Sequence, residues 1–266
     1  MSGAMAVVLA AGKGTRMRSE LPKVLHTVSG RPMIHHSIDR ARAAGVGDIV
    51  VVVGYRSELV VEEVGGPGIR FVLQEEQLGT GHAVAQARPH LEGFEGDVVV
   101  LYGDMPLLSS EIIRALITRR EEAGAAGVAL TIELENPPDF GRIIRDAEGR
   151  ILRVVEVKDA NPEELAVREV NVGAYCFQAP ALLEALGQLS DDNAQGEYYL
   201  TDVVGILVAS GQVVDTVRTH RVEETLGVND PFHLSFAEKI GDIEFAESMY
   251  ELIDASLAME RREQGS

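Results

Sequence analysis

The chain has 266 residues, of which 45% are hydrophobic and 25% charged, a balance typical of a globular protein with a sizeable core. Its 42 acidic residues against 24 lysines and arginines give a formal net charge of −18, which argues against a general binder of nucleic acid or of anionic membranes. No apolar run reaches the roughly 18 to 20 residues of a membrane span, and no basic stretch precedes the apolar N-terminus as in a signal peptide. The single cysteine, Cys176, cannot form an internal disulfide, so we expect a cytoplasmic protein.

The first 134 residues alternate between strand and helix patterns. A short buried strand at 6–11 runs into a glycine loop, and β-branched runs at 48–54 and 97–102 indicate strands covered on both faces. Helical spacing predicts helices over 32–45, 57–64 and 110–123 and a helix opening at Thr80, with further strands at 70–73 and 128–134. This alternation predicts an α/β fold with a Rossmann-like, mainly parallel sheet flanked by helices.

The pattern changes after residue 135. Segments 142–145 and 150–155 flank a turn sequence and predict a hairpin, and they are followed by a strand at 170–177, helices near 181–189 and 198–210, and a strand at 213–219. We assign all of this to one domain over residues 1–230. Apolar residues then recur at steps of three and four: Phe236, Ile240, Ile243, Ala246, Tyr250, Ile253 and Leu257. They predict a C-terminal helical extension over 231–266, which either packs on the chain's own body or mediates self-association.

A local basic cluster interrupts this acidic chain. Four basic side chains lie between positions 13 and 23: Lys13, Arg16, Arg18 and Lys23. The cluster follows the first strand directly and includes the loop Gly12-Lys13-Gly14, while Gly103-Asp104 follows a later strand in the same way. Sheets of this type bind ligands at the carboxyl ends of their strands. Because a glycine turn exposes backbone N–H groups beside these cations, the pattern favours a phosphate-bearing ligand.

The loop sequence excludes two common phosphate-binding motifs. A dinucleotide fingerprint requires a third glycine where Met17 stands, which argues against an NAD-dependent enzyme. A Walker loop requires a lysine after its second glycine, whereas Lys13 precedes Gly14. What remains is Ala-Ala-Gly-Lys-Gly-Thr-Arg-Met over positions 10–17, followed by Pro22-Lys23.

This loop resembles that of the sugar-phosphate nucleotidyltransferases, and within them the bacterial N-acetylglucosamine-1-phosphate uridyltransferase domains. Between about residues 5 and 230, further segments match in the family's order: 74–83 (QEEQLGTGHA), 101–106 (LYGDMP), 140–143 (FGRI), 156–160 (EVKDA), 169–173 (EVNVG), 193–202 (NAQGEYYLTD) and 227–229 (GVN). The resemblance implies a nucleotide-diphospho-sugar transferase fold. It also implies transfer of a uridylyl group from UTP to N-acetylglucosamine 1-phosphate, as in the synthesis of peptidoglycan precursors. The same chemistry on glucose 1-phosphate or dTTP, and an inactive nucleotide-sugar-binding regulatory subunit, are the alternatives.

The resemblance also implies the site residues. The nucleotide would contact Leu9, Ala10, Ala11, Gly12, Lys13, Gln74, Gly79 and Thr80. The sugar would contact Tyr102, Gly103, Gly141, Glu156 and Asn171. Arg16 and Lys23 would be the catalytic cations that neutralise the phosphates. Asp104 and Asn229 would hold Mg²⁺, an ion that prefers oxygen ligands, with Asp230 as a rival ligand.

Two features depart from the family's pattern. The family commonly has histidine where Val157 stands, which affects the surroundings of Glu156. Many members continue into a β-helix of hexapeptide repeats that acetylates glucosamine 1-phosphate and forms a trimer. This sequence contains no such repeats, so we expect neither acetyltransferase activity nor a β-helix trimer.

Overall fold

The computed structural model describes residues 3–241 of the chain. Its strands are β1 (Ala4–Ala10), β2 (Thr27–Val28), β3 (Arg31–Pro32), β4 (Asp48–Val53), β5 (Ile69–Leu73), β6 (Asp97–Tyr102), β7 (Gly127–Glu133), β8 (Arg142–Arg145), β9 (Ile151–Val155), β10 (Glu169–Gln178) and β11 (Val214–Arg218). Its helices are α1 (Met33–Ala43), α2 (Ser57–Val64), α3 (Thr80–Ala85), α4 (Arg88–Leu91), α5 (Ser110–Ala123), α6 (Pro162–Leu165), α7 (Ala179–Leu186), α8 (Asp202–Ala209) and α9 (231–241). In this described part of the chain, no helix is long and apolar enough to cross a membrane.

Nine strands form one sheet whose main path runs β11-β7-β10-β6-β1-β4-β5, with the β8–β9 hairpin attached to β10. The strands of this path pair in parallel except for β10, which runs antiparallel to both β6 and β7. The predicted mainly parallel sheet flanked by helices is therefore confirmed. The chain leaves β1 towards β4 on one side and returns to β6 on the other, so the strand order reverses beside β1. A reversal of this kind opens a crevice at the carboxyl ends of the strands.

The central strands are apolar throughout because helices cover both faces of the sheet. In β1, Val7 and Leu9 belong to one core cluster with side chains of α3 and α7, whereas Val8 and Ala10 belong to a second cluster with side chains of α1 and α5. Val8 and the residues paired with it in β4 and β6, Val51 and Leu101, are at most 1% exposed. This two-sided burial explains why the sequence shows continuous apolar runs instead of alternation.

The helix expected over 198–210 is shorter than predicted and begins at Asp202. The reason lies in the backbone of Tyr198, whose N–H donates to Leu78 O at 2.8 Å and whose carbonyl accepts from Gly81 N at 2.8 Å. Leu200 N–H donates to the Thr80 hydroxyl at 3.1 Å. Residues 198–200 are thus hydrogen-bonded to the start of α3 and to the residue pair before it, and these tertiary bonds outweigh the helical spacing of the sequence.

The chain continues into α9 after Asn229. Asp230 caps this helix, since its Oδ1 accepts from His233 N at 2.9 Å. Ala237 and Ile240 pack against Val28 and Met33, so this part of the predicted apolar stripe contacts the chain's own body. The stripe residues from Ile243 to Leu257 lie outside the described residues.

Candidate active site

Loops at the carboxyl ends of the parallel strands are joined to one another by backbone contacts. Gly103 N–H donates to Leu9 O at 2.9 Å, and Tyr55 N–H donates to Ala11 O at 3.1 Å. A Cβ on Gly54 would lie 2.7 Å from Ala11 O, so only glycine allows this approach. The edge of the sheet therefore fixes the start of the glycine loop at residues 11–14.

A cavity of about 270 Å³ opens beside this loop. Its walls include seven of the eight residues predicted to contact the nucleotide: Leu9, Ala10, Ala11, Gly12, Gln74, Gly79 and Thr80. Lys13 is the exception, because its ammonium lies 5.5 Å from the centre of the Tyr55 ring instead of lining the cavity. Sequence reasoning did not single out four further lining residues, Val24, Gln77, Ala83 and Glu197. Glu197 lies within one of the matched segments, which was the available signal.

The wall formed by residues 74–82 is closely packed at Gln74 and Gly79. Gln74 is only 3% exposed, and its Nε2 lies 3.1 Å from both Gly79 O and His82 Nδ1. Both contacts use the amide nitrogen, which leaves the side-chain oxygen of Gln74 as an acceptor. Gly79 has φ 113°, and a Cβ there would meet the Tyr198 backbone at 2.5 Å. This part of the wall thus combines a fixed amide with a position that only glycine fits.

Lys23 lies where this cavity meets a larger one. Its side chain is only 16% exposed; the ammonium forms an ion pair with Asp104 and donates to Asn229 Oδ1 at 3.0 Å. Arg16 donates to the same Asn229 oxygen at 3.2 Å. Val228 N–H donates to Asp104 O at 2.9 Å, which ties the loop before α9 to the end of β6. The predicted catalytic cations and the predicted metal ligands are therefore brought together.

The donor set at this point fits a hard cation. A carboxylate oxygen of Asp104 and the amide oxygen of Asn229 both contact the single Lys23 ammonium, so the two oxygens converge on one positive charge. Such oxygens are the ligands that Mg²⁺ prefers, with water and phosphate completing its shell. Asp230, the rival ligand, uses its carboxylate to cap α9. Among the described residues, no group of three or more His, Cys, Asp or Glu side chains forms a metal cluster.

The larger cavity measures about 810 Å³ and shares Lys23, Tyr102 and Asp104 with the smaller one. Its walls include four of the five residues predicted to contact the sugar: Tyr102, Gly141, Glu156 and Asn171. Gly103 is buried beneath and is not part of the lining; its backbone bond to Leu9 makes it a structural link between β1 and β6. Residues of α9 and of the loop before it also line this cavity, among them Leu226 and Phe236, and no sequence motif pointed to them.

Glu156 directly follows β9 and lines the larger cavity. The Thr201 hydroxyl donates to its Oε1 at 2.9 Å. Burial raises the pKa of Glu156, the Thr201 bond opposes this rise, and the negative charges of Asp159 and Glu197 reinforce it. Glu156 is thus a half-buried acceptor at the cavity wall.

Asn171 enters the cavity from β10, next to an irregularity of that strand. The register of β10 against β7 shifts between Asn171 and Tyr175, and Gly173 within this shift has φ 101°. A Cβ on Gly173 would lie 3.1 Å from the Tyr102 ring, so glycine lets that ring approach the strand. Asn171 Oδ1 accepts a long bond of 3.3 Å from Gly173 N.

Together, the open α/β sheet, the glycine loop at its switch point and the convergent cations define a protein of nucleotidyltransferase type. A family model for the MobA-like NTP transferase domain matches residues 6–202. The chain belongs to this family.

Curated relatives and solved structures agree with this assignment. The chain is 49% identical over 240 residues to proteins named bifunctional protein GlmU from Bacillus cereus and Bacillus anthracis, an alignment that covers 90% of this chain and 52% of theirs. It therefore spans about half the length of these relatives. A solved UDP-glucose pyrophosphorylase in complex with UDP-glucose shares the fold with a TM-score of 0.76 at 17% identity, covering 91% of this chain and 99% of the other. A putative glucose-1-phosphate thymidylyltransferase from Bacillus anthracis gives 0.73 at 19%, covering 90% and 95%.

Proposed function

We propose that the chain catalyses the Mg²⁺-dependent transfer of a uridylyl group from UTP to N-acetylglucosamine 1-phosphate, giving UDP-N-acetylglucosamine and pyrophosphate. The observation that carries the proposal is the meeting of the two cavities at Lys23, Asp104 and Asn229. A nucleotidyl transfer needs two phosphorylated substrates whose phosphates meet at one cationic point. The 49% identity to proteins named bifunctional GlmU supports this choice of substrates.

In the proposed reaction, a phosphate oxygen of the sugar phosphate attacks the α-phosphorus of UTP in line, and pyrophosphate leaves. A phosphate monoester is already ionised near neutral pH, so the chain has no proton to remove and needs no general base. Catalysis then depends on orientation and on neutralising charge. Lys23 and Arg16 supply the fixed positive charge beside the junction of the cavities.

Asp104 and Asn229 would hold Mg²⁺ through their oxygen atoms. When bound, the ion would offset the negative charge of the phosphates. In the proposed complex, residues 9–12, Gln74, Gly79 and Thr80 hold the nucleotide in the smaller cavity. Glu156 and Asn171 bind sugar hydroxyl or acetamido groups in the larger one, with Gly141 and Tyr102 forming walls.

The decisive experiment measures pyrophosphate release with Mg²⁺ while crossing UTP, dTTP, ATP and GTP with N-acetylglucosamine 1-phosphate and glucose 1-phosphate. We expect turnover with UTP and the N-acetyl sugar, and its loss in Asp104→Ala. Turnover with another pair would retain the chemistry and overturn the substrates. A folded protein that binds nucleotide but turns over no pair would instead be a regulatory subunit.

Two further expectations accompany the proposal. We expect the reaction to take place in the cytoplasm, as the single cysteine suggested. Self-association through α9 is a separate hypothesis, supported by Phe232 and Phe236, which are 77% and 48% exposed. Light scattering on the full chain tests it, because a monomeric mass at micromolar concentration would contradict self-association.

A further inference from the structure

Tyr175 has a buried hydroxyl group without a hydrogen-bond partner in the described part of the chain. The residue has no exposed surface, and its ring stacks on Phe177 with the ring centres 5.4 Å apart. A buried hydroxyl without a partner lowers stability, so phenylalanine would serve the packing of this core better. The presence of tyrosine therefore points to a partner outside the described contacts.

The hydroxyl lies directly behind the wall of the larger cavity. Along β10, residues 170, 172, 174 and 176 face one core cluster, whereas Tyr175 and Phe177 face the other. Asn171 and Gly173 share the face of Tyr175 by this alternation. Gly173 has no side chain of its own, and the Tyr102 ring packs over it, 3.1 Å from where a Cβ would stand. The Tyr175 hydroxyl interacts with the Asn171 amide and feels the charge of Glu156, and both of these residues line the cavity.

Within residues 3–241, the hydrogen bond of the Asn171 side chain is long. Its Oδ1 accepts from Gly173 N at 3.3 Å, near the long end of the range for hydrogen bonds. The neighbouring Tyr175 hydroxyl is close enough to this amide for Asn171 to oppose the rise in the pKa of the phenol, but the two groups do not reach hydrogen-bond geometry.

We propose that Tyr175 is a positioning residue for the sugar phosphate: when the ligand fills the larger cavity, the Tyr175 hydroxyl donates to Asn171 Oδ1 and directs the Asn171 amide nitrogen at a ligand oxygen. The inference rests on the proposed function, since it requires a sugar phosphate in this cavity. Ligand binding would satisfy a donor that is unpaired in the free protein, so the bond contributes to affinity and not to folding. Burial also raises the pKa of the Tyr175 phenol well above its ordinary value, which keeps the proton needed for donation.

The test variant is Tyr175→Phe in the full chain, which removes one oxygen and keeps the ring. We expect the KM for N-acetylglucosamine 1-phosphate to rise about fivefold, within the range of one neutral hydrogen bond. The KM for UTP should change by less than about twofold. The thermal midpoint of the free protein should stay equal or rise, because the variant deletes an unpaired buried hydroxyl.

Tyr199→Phe is the matched control. Its hydroxyl accepts from Gln195 Nε2 at 2.8 Å, and Tyr199 lines neither the nucleotide cavity nor the sugar cavity. Deleting this partnered hydroxyl should lower the thermal midpoint and leave the KM for the sugar phosphate unchanged. Tyr175→Phe should thus weaken sugar binding without loss of stability, whereas Tyr199→Phe should lower stability without affecting sugar binding.

A double-mutant cycle with Asn171→Ala tests the route of the effect. If Tyr175 acts through Asn171, Tyr175→Phe should have no further effect on the KM for the sugar phosphate in the Asn171→Ala background. Additive effects in the cycle would overturn the inference, as would a wild-type KM in Tyr175→Phe alone. If the wild-type chain turns over no substrate pair, the proposed function fails and the inference fails with it; an active wild type with an unaffected Tyr175→Phe overturns only the inference.

Discussion

The two cavities that meet at Lys23 have walls of different kinds. The smaller one, of about 270 Å³, has larger side chains such as Gln74 in its lining beside several alanines and glycines: Ala10, Ala11, Gly12, Gly79 and Ala83. The larger one, of about 810 Å³, is lined by side chains from an antiparallel strand, a hairpin and the loop before α9. A backbone wall is fixed by the fold and fits one ligand shape, whereas a side-chain wall can be altered by single substitutions. From this difference we expect the fold to limit the choice of nucleotide and the identity of a few side chains to limit the choice of sugar.

The largest expected effect falls on the junction that both cavities share. Lys23→Ala removes a cation beside the phosphates, so we expect kcat to fall by about 100-fold, the scale of losing one group that stabilises the transition state. It also leaves Asp104, which is 8% exposed, without its ion-pair partner, so the thermal midpoint without metal should fall. Steady-state kinetics and thermal unfolding measure the two effects.

The same variant tests the metal site without relying on activity. Because Asp104 and Asn229 converge on the Lys23 ammonium, Mg²⁺ should replace that charge and raise the midpoint of Lys23→Ala more than that of the wild type. The double variant Lys23→Ala/Asp104→Ala should lose this response. Lys13→Ala, whose ammonium lies against Tyr55, is the control and should respond as the wild type does. An equal Mg²⁺ response in all four proteins would refute the assignment of Asp104.

Two glycines probe the nucleotide cavity in different ways. A Cβ at Gly12 meets no atom within 4 Å, whereas one at Gly79 meets the Tyr198 backbone at 2.5 Å. We therefore expect Gly12→Ala to keep the wild-type thermal midpoint but to raise the KM for UTP by roughly tenfold, since the methyl group would occupy space that the ligand needs. Gly79→Ala should both lower the midpoint and raise that KM.

The KM for the sugar phosphate is the internal control for both variants and should change by less than about twofold. A Gly12→Ala protein with a normal KM for UTP would show that the nucleotide does not approach this loop. The different linings of the two cavities would then not explain how the protein selects its nucleotide.

A smaller effect is expected from the side-chain wall. Glu156→Gln keeps the shape of the side chain and an acceptor for the Thr201 hydroxyl, but it weakens the acceptor offered to a sugar hydroxyl. We expect the KM for the sugar phosphate to rise about tenfold, in line with the loss of one charged hydrogen bond, and the KM for UTP to stay constant. Glu135→Gln, a carboxylate exposed at the rim of the same cavity, is the matched control and should have a wild-type KM. Equal effects on both KM values would indicate a general loss of structure instead.

The placement of residues around the smaller cavity follows from the sequence more directly than that around the larger cavity, and the reason is physical. The glycine loop is a local motif directly after β1, so its place in the fold follows from the strand itself. By contrast, the contact between Lys23 and Asn229 joins residues 206 positions apart, and only the resemblance to a family brought them together beforehand. Residues 198–200 show helical spacing but pair with the start of α3. The surroundings of the Tyr175 hydroxyl are set by the pairing of β10 with β6 and β7, which are distant in the sequence, so no local pattern predicts that this hydroxyl lacks a partner.

The smallest expected effect comes from a group of carboxylates beside the larger cavity: Glu156, Asp159 and Asp202. Burial, followed by the charges of Glu156 and Asp159, raises the pKa of Asp202 from 3.8 to about 6. The folded state therefore binds this proton more tightly than the unfolded state does, and the cost of the charged form is present above pH 6 and disappears below about pH 4. Asp202 begins α8, where the helix dipole favours a negative charge, but the raised pKa means that burial and like charges outweigh this benefit.

Asp202→Asn should accordingly raise the thermal midpoint by roughly 2 °C at pH 7.5, and the advantage should vanish as the pH falls through 6 to 4. Thermal unfolding of both proteins across this range measures the difference directly. A third cavity is lined by Glu156, Asp159 and Asp202 and also by the exposed carboxylate of Asp192. Asp192→Asn is therefore the control and should leave the midpoint unchanged throughout. An Asp202→Asn protein less stable than the wild type at pH 7.5 would mean that the helix dipole dominates. In that case the folded protein would stabilise the charged form of Asp202 beside Glu156. Substitutions of Glu156 would then alter the thermal midpoint as well as sugar binding.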